Sequence, residues 1–138
     1  MADEMKGVSF IIPVYNLAKF LPDCINELLK SKLSNYEIIL VDDGSQDKSG
    51  SICDFYAKNN SNIKVHHQEN RGVSAARNYG LKTAVKDFII FLDADDIVEI
   101  EKIEDAINIM INNNAIDLLI FGMSFDSVSY THLTLPTT

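Results

Sequence analysis

The sequence predicts an α/β fold, a three-layer α/β/α, Rossmann-like and mostly parallel sheet. Three observations carry the prediction. Short apolar runs alternate strictly with longer segments of helical period, the pattern of a parallel sheet with right-handed crossovers. The run from Asp87 to Leu92 shows no polar–apolar alternation, as expected of a strand covered on both faces. Finally, 138 residues with 46% hydrophobic and 23% charged content suffice for one domain with one core. Such a chain is too apolar to be disordered.

The elements follow in order. Val8 to Val14 forms a first strand, and Pro13, lacking an N–H, ends its ladder or sits at a strand end. From Phe20 to Lys30 the residues Phe20, Leu21, Cys24, Ile25, Leu28 and Leu29 keep a 3.6-residue period, and Pro22 fits only in the first turn. Glu37 to Val41 is a second strand, stopped by Asp42-Asp43-Gly44-Ser45. Ser45 is expected to cap a helix carrying Ile52, Cys53, Phe55 and Tyr56, with Asp47 as an acid in its first turn. Asn59 to Asn62 is a turn, and Ile63 to His66 a short third strand. Gly72 opens a small-residue helix through Ala75, Ala76 and Leu81. After the fourth strand comes a helix around Ile100 to Ile111, whose stripe of Ile103, Ile107, Met110 and Ile111 is core packing. Asp117 to Phe121 is a fifth strand. No internal repeat, linker or low-complexity segment interrupts the series.

Composition narrows the function. Twelve basic and 20 acidic residues give a formal charge of −8 and a pI near 4.7. That balance argues against a general nucleic-acid or anionic-membrane surface. No apolar run approaches the roughly 20 residues of a membrane-spanning helix. No basic segment leads into an apolar one as in a secretory signal. Cys24 and Cys53 are too few for a disulfide framework and lack metal-ligand spacing, so both are read as inert core residues in a reducing, cytoplasmic setting.

Charge is concentrated in a few places. The only two arginines, Arg71 and Arg77, fall within seven residues. Five of the thirteen aspartates fall at Asp42-Asp43 and at Asp93, Asp95 and Asp96. Both acidic clusters follow strands, and in parallel α/β sheets the ligand crevice lies outside the carboxyl ends of the strands. Crowded carboxylates there need a cation or hydrogen-bond donors to balance them. Asp93 and Asp95 can turn toward one crevice, where hard oxygen ligands suit Mg²⁺ or Mn²⁺ bridging phosphate oxygens. Taken singly, an acidic pair is an ordinary turn and an arginine an ordinary solvated side chain. Together they describe a metal–diphosphate site. His66 and His67 are adjacent in a strand and point to opposite faces, which speaks against a shared metal.

Four ordered motifs carry a resemblance. They are Ile11-Ile12-Pro13-Val14-Tyr15-Asn16, then Val41-Asp42-Asp43-Gly44-Ser45 with Asp47, then Asn70-Arg71-Gly72 leading to Ala75-Ala76-Arg77-Asn78, and Phe91-Leu92-Asp93-Ala94-Asp95-Asp96. In order and spacing they resemble the signatures of family 2 glycosyltransferases, from Val8 to about Phe125. The resemblance implies the glycosyltransferase A fold and use of a nucleotide-diphospho-sugar, most often a UDP-sugar. Pro13, Val14 and Tyr15 would border the nucleobase, with the Tyr15 ring stacking on it and Asn16 beside them. Asp42 or Asp43 would hydrogen-bond the base, with Asp42 slightly preferred. Arg77 and Arg71 would lie near the uracil or the diphosphate. Asp93 would contact ribose or sugar, with Ala94 next to it, and Asp95 would be the principal ligand of Mn²⁺ or Mg²⁺, shared with Asp93. Asp96 would assist or cap the next segment.

The same resemblance implies inversion at the anomeric carbon. An acceptor hydroxyl on a glycan or lipid-linked acceptor, deprotonated by a carboxylate base, would attack as the nucleoside diphosphate leaves. The expected role is in polysaccharide or glycoconjugate synthesis, in the cytoplasm or at the cytoplasmic face of the membrane. The family's base and acceptor pocket belong to a further C-terminal segment, so residues 1–126 are expected to be the donor-binding part, inactive in transfer alone.

Two rival readings use the same aspartates. A haloacid-dehalogenase-type phosphatase would use Asp93-Ala94-Asp95 as its nucleophile loop, although that motif normally opens the domain and has Thr or Val where this chain has Ile97. A receiver-like signalling module would use Asp42-Asp43, although a full strand and helix precede that pair. Residues 127–138 have neither helical period nor charge and resemble a translated sequencing-adapter tail, so they are expected to be non-native.

Overall fold

The computed structural model describes residues 6–113 and the strands Leu118–Met123 and Val128–Leu133. The chain forms two compact units, one ending at Asp96 and one beginning at Ile97.

In the first unit strands and helices alternate as β1 (Val8–Val14), α1 (Leu21–Leu29), β2 (Tyr36–Asp42), α2 (Ser49–Asn59), β3 (Ile63–His67), α3 (Val73–Thr83) and β4 (Phe88–Phe91). The four strands lie in the order β3-β2-β1-β4, every neighbouring pair parallel. β1 and β2 are central and, apart from half-buried Tyr36, wholly buried, which explains their unbroken apolar sequences. Ile11, Ile39 and Val41 pack with Ala76 of α3 and with Tyr79, Ala84 and Ile89. Phe10, Ile12, Ile38 and Leu40 alternate to the other face and are fully buried. Each such side chain contributes roughly 1.5–3 kcal/mol on burial.

The two histidines show which helix covers which face. His66 stacks on Tyr79 of α3 with ring centroids 3.6 Å apart. His67, one residue on, reaches Asp54 of α2 at 2.7 Å. So α2 and α3 cover opposite faces, and α1 lies beside α2, where Tyr56 Oη donates to Asn26 Oδ1 at 2.9 Å. The layers are therefore α/β/α, as the sequence predicts.

Pro13 sits inside a central strand at no cost to the ladder. Ile11 O accepts Leu92 N–H on the β4 side and Val14 O accepts Asp43 N–H on the β2 side. Pro13 shares the parity of Ile11, so its missing N–H faces the side where the β1–β4 pairing has already stopped at Ile11. α1 accommodates Pro22 in its first turn.

Several expectations are corrected. Ser45 does not cap α2, which begins at Ser49 after Lys48, and Asp47 precedes the helix rather than lying in its first turn. Both residues are used instead to tie down the loop before the helix. β4 is not covered on both faces; its residues are half-buried and Phe91 is 47% exposed. In the second unit, α4 (Ile100–Asn112) buries Ile100, Ile103, Ala106 and Ile107, while Met110 and Ile111 are only half-buried. The predicted fifth parallel strand is β5 (Leu118–Met123), whose described partner is β6 (Val128–Leu133) in an antiparallel ladder. Four residues separate these two strands, enough for a hairpin and far too few for a parallel crossover. β6 falls in the segment set apart above as non-native; Asp117 and Phe125 lie outside the described residues.

At the amino end of the sheet, away from the acidic clusters, a buried carboxylate closes the structure. Glu37 accepts from Ser9 Oγ at 2.6 Å and Val85 N at 2.9 Å, and pairs with Lys64 Nζ at 2.8 Å. Gly80 lies so close over β1 that a Cβ there would collide with Ile11 Cγ2. These contacts fix α3 and the α3–β4 connection, and hence what α3 presents at the other end.

Candidate functional site

At the carboxyl ends of β1, β2 and β4 lies a cavity of about 480 Å³, within the ordinary range of small-molecule sites. Pro13, Val14, Tyr15 and Leu17 form one wall, and Asn70, Gly72 and Val73 another. Asp43, Arg77, Asp93 and Asp95 supply its charge. Tyr15 and Val73 are 43% and 48% exposed, so an aromatic ring and an apolar side chain stand open at the walls.

The turn after β2 separates its two aspartates. Asp43 is buried and turns toward α3, accepting from Gln68 Nε2 at 2.9 Å, Arg71 N at 2.8 Å and Gly72 N at 2.9 Å. Burial works against its charge, but these donors outweigh burial and hold its pKa below the usual carboxylate value. A negative group at the start of a helix is also favoured by the helix dipole. Asp42 instead turns toward α2 and accepts from Ser45 N at 3.0 Å, while its Oδ2 lies 2.7 Å from His67 Nδ1. Gly44 makes this divergence possible. Its φ is +74°, and a Cβ there would lie 2.9 Å from Asn70 N.

The loop after β1 is held from the loop after β2. Asn16, at φ +52°, accepts Gln46 N at 2.8 Å through its Oδ1 and donates its own N–H to Ser45 Oγ at 3.0 Å. Leu17 N donates to Ser49 Oγ at 2.9 Å and Ala18 N to Asp47 Oδ2 at 3.1 Å. Tyr15 is thereby presented from a turn clamped on both sides.

β4 runs into a tight turn in which Asp96 N donates to Asp93 O at 3.0 Å. Within it Ala94 is buried, while Asp93 and Asp95 point into the cavity. Arg77, one turn into α3, reaches Asp93 Oδ1 with Nη2 at 3.2 Å. Its Nε is buried and has no partner among the described residues. Burial and the charges of Asp93 and Asp95 raise the Asp96 carboxyl above its ordinary range. Among the described residues no three His, Cys, Asp or Glu side chains converge as a closed metal cage. Two carboxylates beside open space nonetheless suit a hard cation that completes its shell with water and phosphate oxygens.

Of the residues singled out by sequence, the cavity gathers Pro13, Val14, Tyr15, Asp43, Arg77, Asp93 and Asp95. It does not gather Asn16, which supports the wall from behind, or Asp42, which faces α2. Nor does it gather Arg71, whose backbone N–H rather than its guanidinium is bound, or Ala94. Because Asp42 and Asp43 diverge, they do not form the paired acidic pocket a receiver-like reading requires. Leu17 and Val73 are not among the sequence's site residues, and Asn70, which opens the third motif, has no role assigned to it there although it lines the cavity. Cys24 and Cys53 are buried, their thiols pushed up to about 12 chiefly by burial, as inert core residues should be.

Comparison with known proteins identifies the family and the fold. A family model described as Glycosyl transferase family 2 matches residues 9–136. An uncharacterized glycosyltransferase of Bacillus subtilis, EpsJ, is 50% identical over 91 residues, covering 66% of this chain and 26% of that protein. Glycosyltransferase GlyG of Streptococcus pneumoniae is 45% identical over 98 residues, covering 70% of this chain and 33% of that protein. Among solved structures, S. aureus TarS 1–349 in complex with UDP superposes with TM-score 0.70 at 32% identity, over 80% of this chain and 33% of that one. Mannosyltransferase PcManGT of Pyrobaculum calidifontis, in complex with GDP-Man and Mn²⁺, shares the fold with TM-score 0.74 at 20% identity, over 83% of this chain and 34% of that one. The chain thus spans about a quarter to a third of the length of these relatives. Among the described residues no helix is long and apolar enough to cross a membrane.

Proposed function

The chain belongs to glycosyl transferase family 2, and on that premise we propose that its cavity binds the nucleotide-diphospho-sugar donor of an inverting, metal-dependent transfer to an acceptor hydroxyl. One observation carries the reading. A single cavity joins an exposed tyrosine ring, a free arginine N–H and two strand-end carboxylates, which are the three kinds of group a base, a diphosphate and a cation require. The TarS relative binds UDP, which supports a uridine nucleotide as donor carrier.

In this reading the nucleobase lies between Tyr15 and Val73, against Pro13 and Val14. Asp43 has one acceptor position left after its three bonds and takes up a base or ribose donor. The buried Nε–H of Arg77, which has no partner among the described residues, donates to the diphosphate, while Nη2 keeps Asp93 as its partner. Asp93 and Asp95 would hold Mg²⁺ or Mn²⁺, which when bound offsets the negative charge of the departing nucleoside diphosphate. The protein's own contribution is position and preorganised charge around an oxocarbenium-like transition state. The acceptor, a glycan or a lipid-linked sugar, and the place of work at the cytoplasmic face of the membrane belong to the same proposal.

Mapping UDP on the labelled chain by amide chemical shifts tests the placement. Tyr15, Asn70, Gly72 and Val73 should shift on saturation while Phe55 and Lys58 on the outer side of α2 stay still. Shifts confined to α2, or absent from both cavity walls, would refute it.

A further inference from the structure

His67 lies outside the cavity, and nothing above gives it a task, yet it is bound at both ends. Its Nδ1 lies 2.7 Å from Asp42 Oδ2 and its Nε2 2.7 Å from Asp54 Oδ1. A neutral imidazole donates one hydrogen bond; only the imidazolium donates two. With a carboxylate at each nitrogen, the protonated ring satisfies both and the neutral ring leaves one carboxylate facing a lone pair. Asp42 is itself buried, so it cannot turn freely to water. The packing allows little slack, because a Cβ on Gly50 would already lie 2.9 Å from Asp42 Oδ2.

Asp42 transmits this state to the cavity. Its other oxygen accepts Ser45 N at 3.0 Å, and Ser45 Oγ accepts Asn16 N at 3.0 Å. Asn16 follows Tyr15, whose ring lines the cavity. The side chains of His67, Asp42 and Ser45, with the backbone N–H groups of Ser45 and Asn16, thus connect the end of β3 by hydrogen bonds to the residue that follows Tyr15.

We infer that His67 is a positioning residue for the donor site, its protonated ring latching Asp42 to Asp54 and thereby holding the Ser45–Asn16 turn, so that nucleotide affinity falls as His67 loses its proton. This rests on the donor-binding reading above. The groups facing His67 are Asp42 from β2 and Asp54 from α2; the Cys53 thiol, which burial and the same two aspartates push up to about 12, stays neutral. Both aspartate bonds raise the pKa of His67 above its ordinary 6.5, against the opposing effect of burial. The latch is therefore complete on the acid side of that raised value and is lost as pH rises through it.

The full labelled chain, with and without UDP, is titrated from about pH 6 to about pH 9 by NMR and calorimetry, alongside His67→Gln and Asp54→Asn. Without nucleotide, the amides of Ser45 and Asn16 should move with the midpoint of the His67 ring signals; flat amides overturn the latch whatever UDP does. UDP affinity should fall about fivefold or more across that midpoint, the low end of ordinary coupling between sites. His67→Gln should lack this fall, and because UDP titrates identically against both proteins, the difference belongs to His67. Asp54→Asn should move the midpoint down, and UDP should move it up in the unaltered chain, as reciprocity requires. Equal pH dependence in the unaltered chain and His67→Gln overturns the inference and leaves donor binding standing. UDP binding at no pH, with the amides still coupled to His67, overturns donor binding and with it the functional role of the latch.

Discussion

Asp43 shows what a single side chain does here. It binds Gln68 and two successive backbone N–H groups at the entry to α3, and it also lines the cavity. Asp43→Ala would leave Arg71 N and Gly72 N to solvent and free the Gly72 turn, where φ is +99°. The expected loss is about 1–2 kcal/mol of stability by urea unfolding, with UDP binding weakened roughly tenfold, about 1.4 kcal/mol. Unchanged UDP affinity in a folded Asp43→Ala protein would remove Asp43 from the site. The sequence reading brought both aspartates to the strand mouth but slightly favoured Asp42. Which carboxylate faces the cavity depends on Gly44 and on the partners Gln68 and His67, some 25 residues away, and no local pattern encodes that choice.

At the scale of elements, apolar runs, helical periods and turn signals together locate the strands and helices of the first unit, most plainly β1 and β2, whose burial on both faces keeps their sequences continuously apolar. Ser45 was misassigned because Ser is equally at home as a cap and as a loop acceptor. The deciding factor is Asn16 across the crevice, which takes the Ser45 hydroxyl for β1's own loop. Glu37 was read simply as the start of a strand. Its partners Ser9, Lys64 and Val85 come from three other segments, so its role appears only on folding. Burial raises the Glu37 pKa, but Lys64, Ser9 and the Val85 N–H together hold it below 4.5. A carboxyl depressed in the folded state stabilises above its unfolded pKa, and that stability is lost as pH falls through the folded value. Unfolding free energy should therefore decline below about pH 4.5. In Glu37→Gln it should begin about 1–3 kcal/mol lower at neutral pH and decline less steeply in acid. Parallel acid profiles for the two proteins would count against Glu37 as the closing group.

For the whole molecule, the three-layer parallel architecture and the family were legible before any coordinates, since four spaced motifs and a strict alternation point one way. The antiparallel β5–β6 ladder was not, because an apolar run such as Leu118–Met123 does not state which strand it will pair with. The acidic balance of −8 takes on a definite meaning in the folded chain. Asp93 pairs with Arg77, and Asp93 and Asp95 both line the open cavity, which is where the proposed divalent cation would offset their charge. The central claim is that these two carboxylates, with Tyr15 and Arg77, bind a nucleoside diphosphate together with a divalent metal. Calorimetric titration of UDP into the chain, with and without Mg²⁺, and into Asp95→Ala, tests it most directly. Saturable one-to-one binding, strengthened by Mg²⁺ in the unaltered chain and insensitive to it in Asp95→Ala, is the predicted result. UDP binding equally tight with and without metal, or no binding by a folded sample, would contradict it.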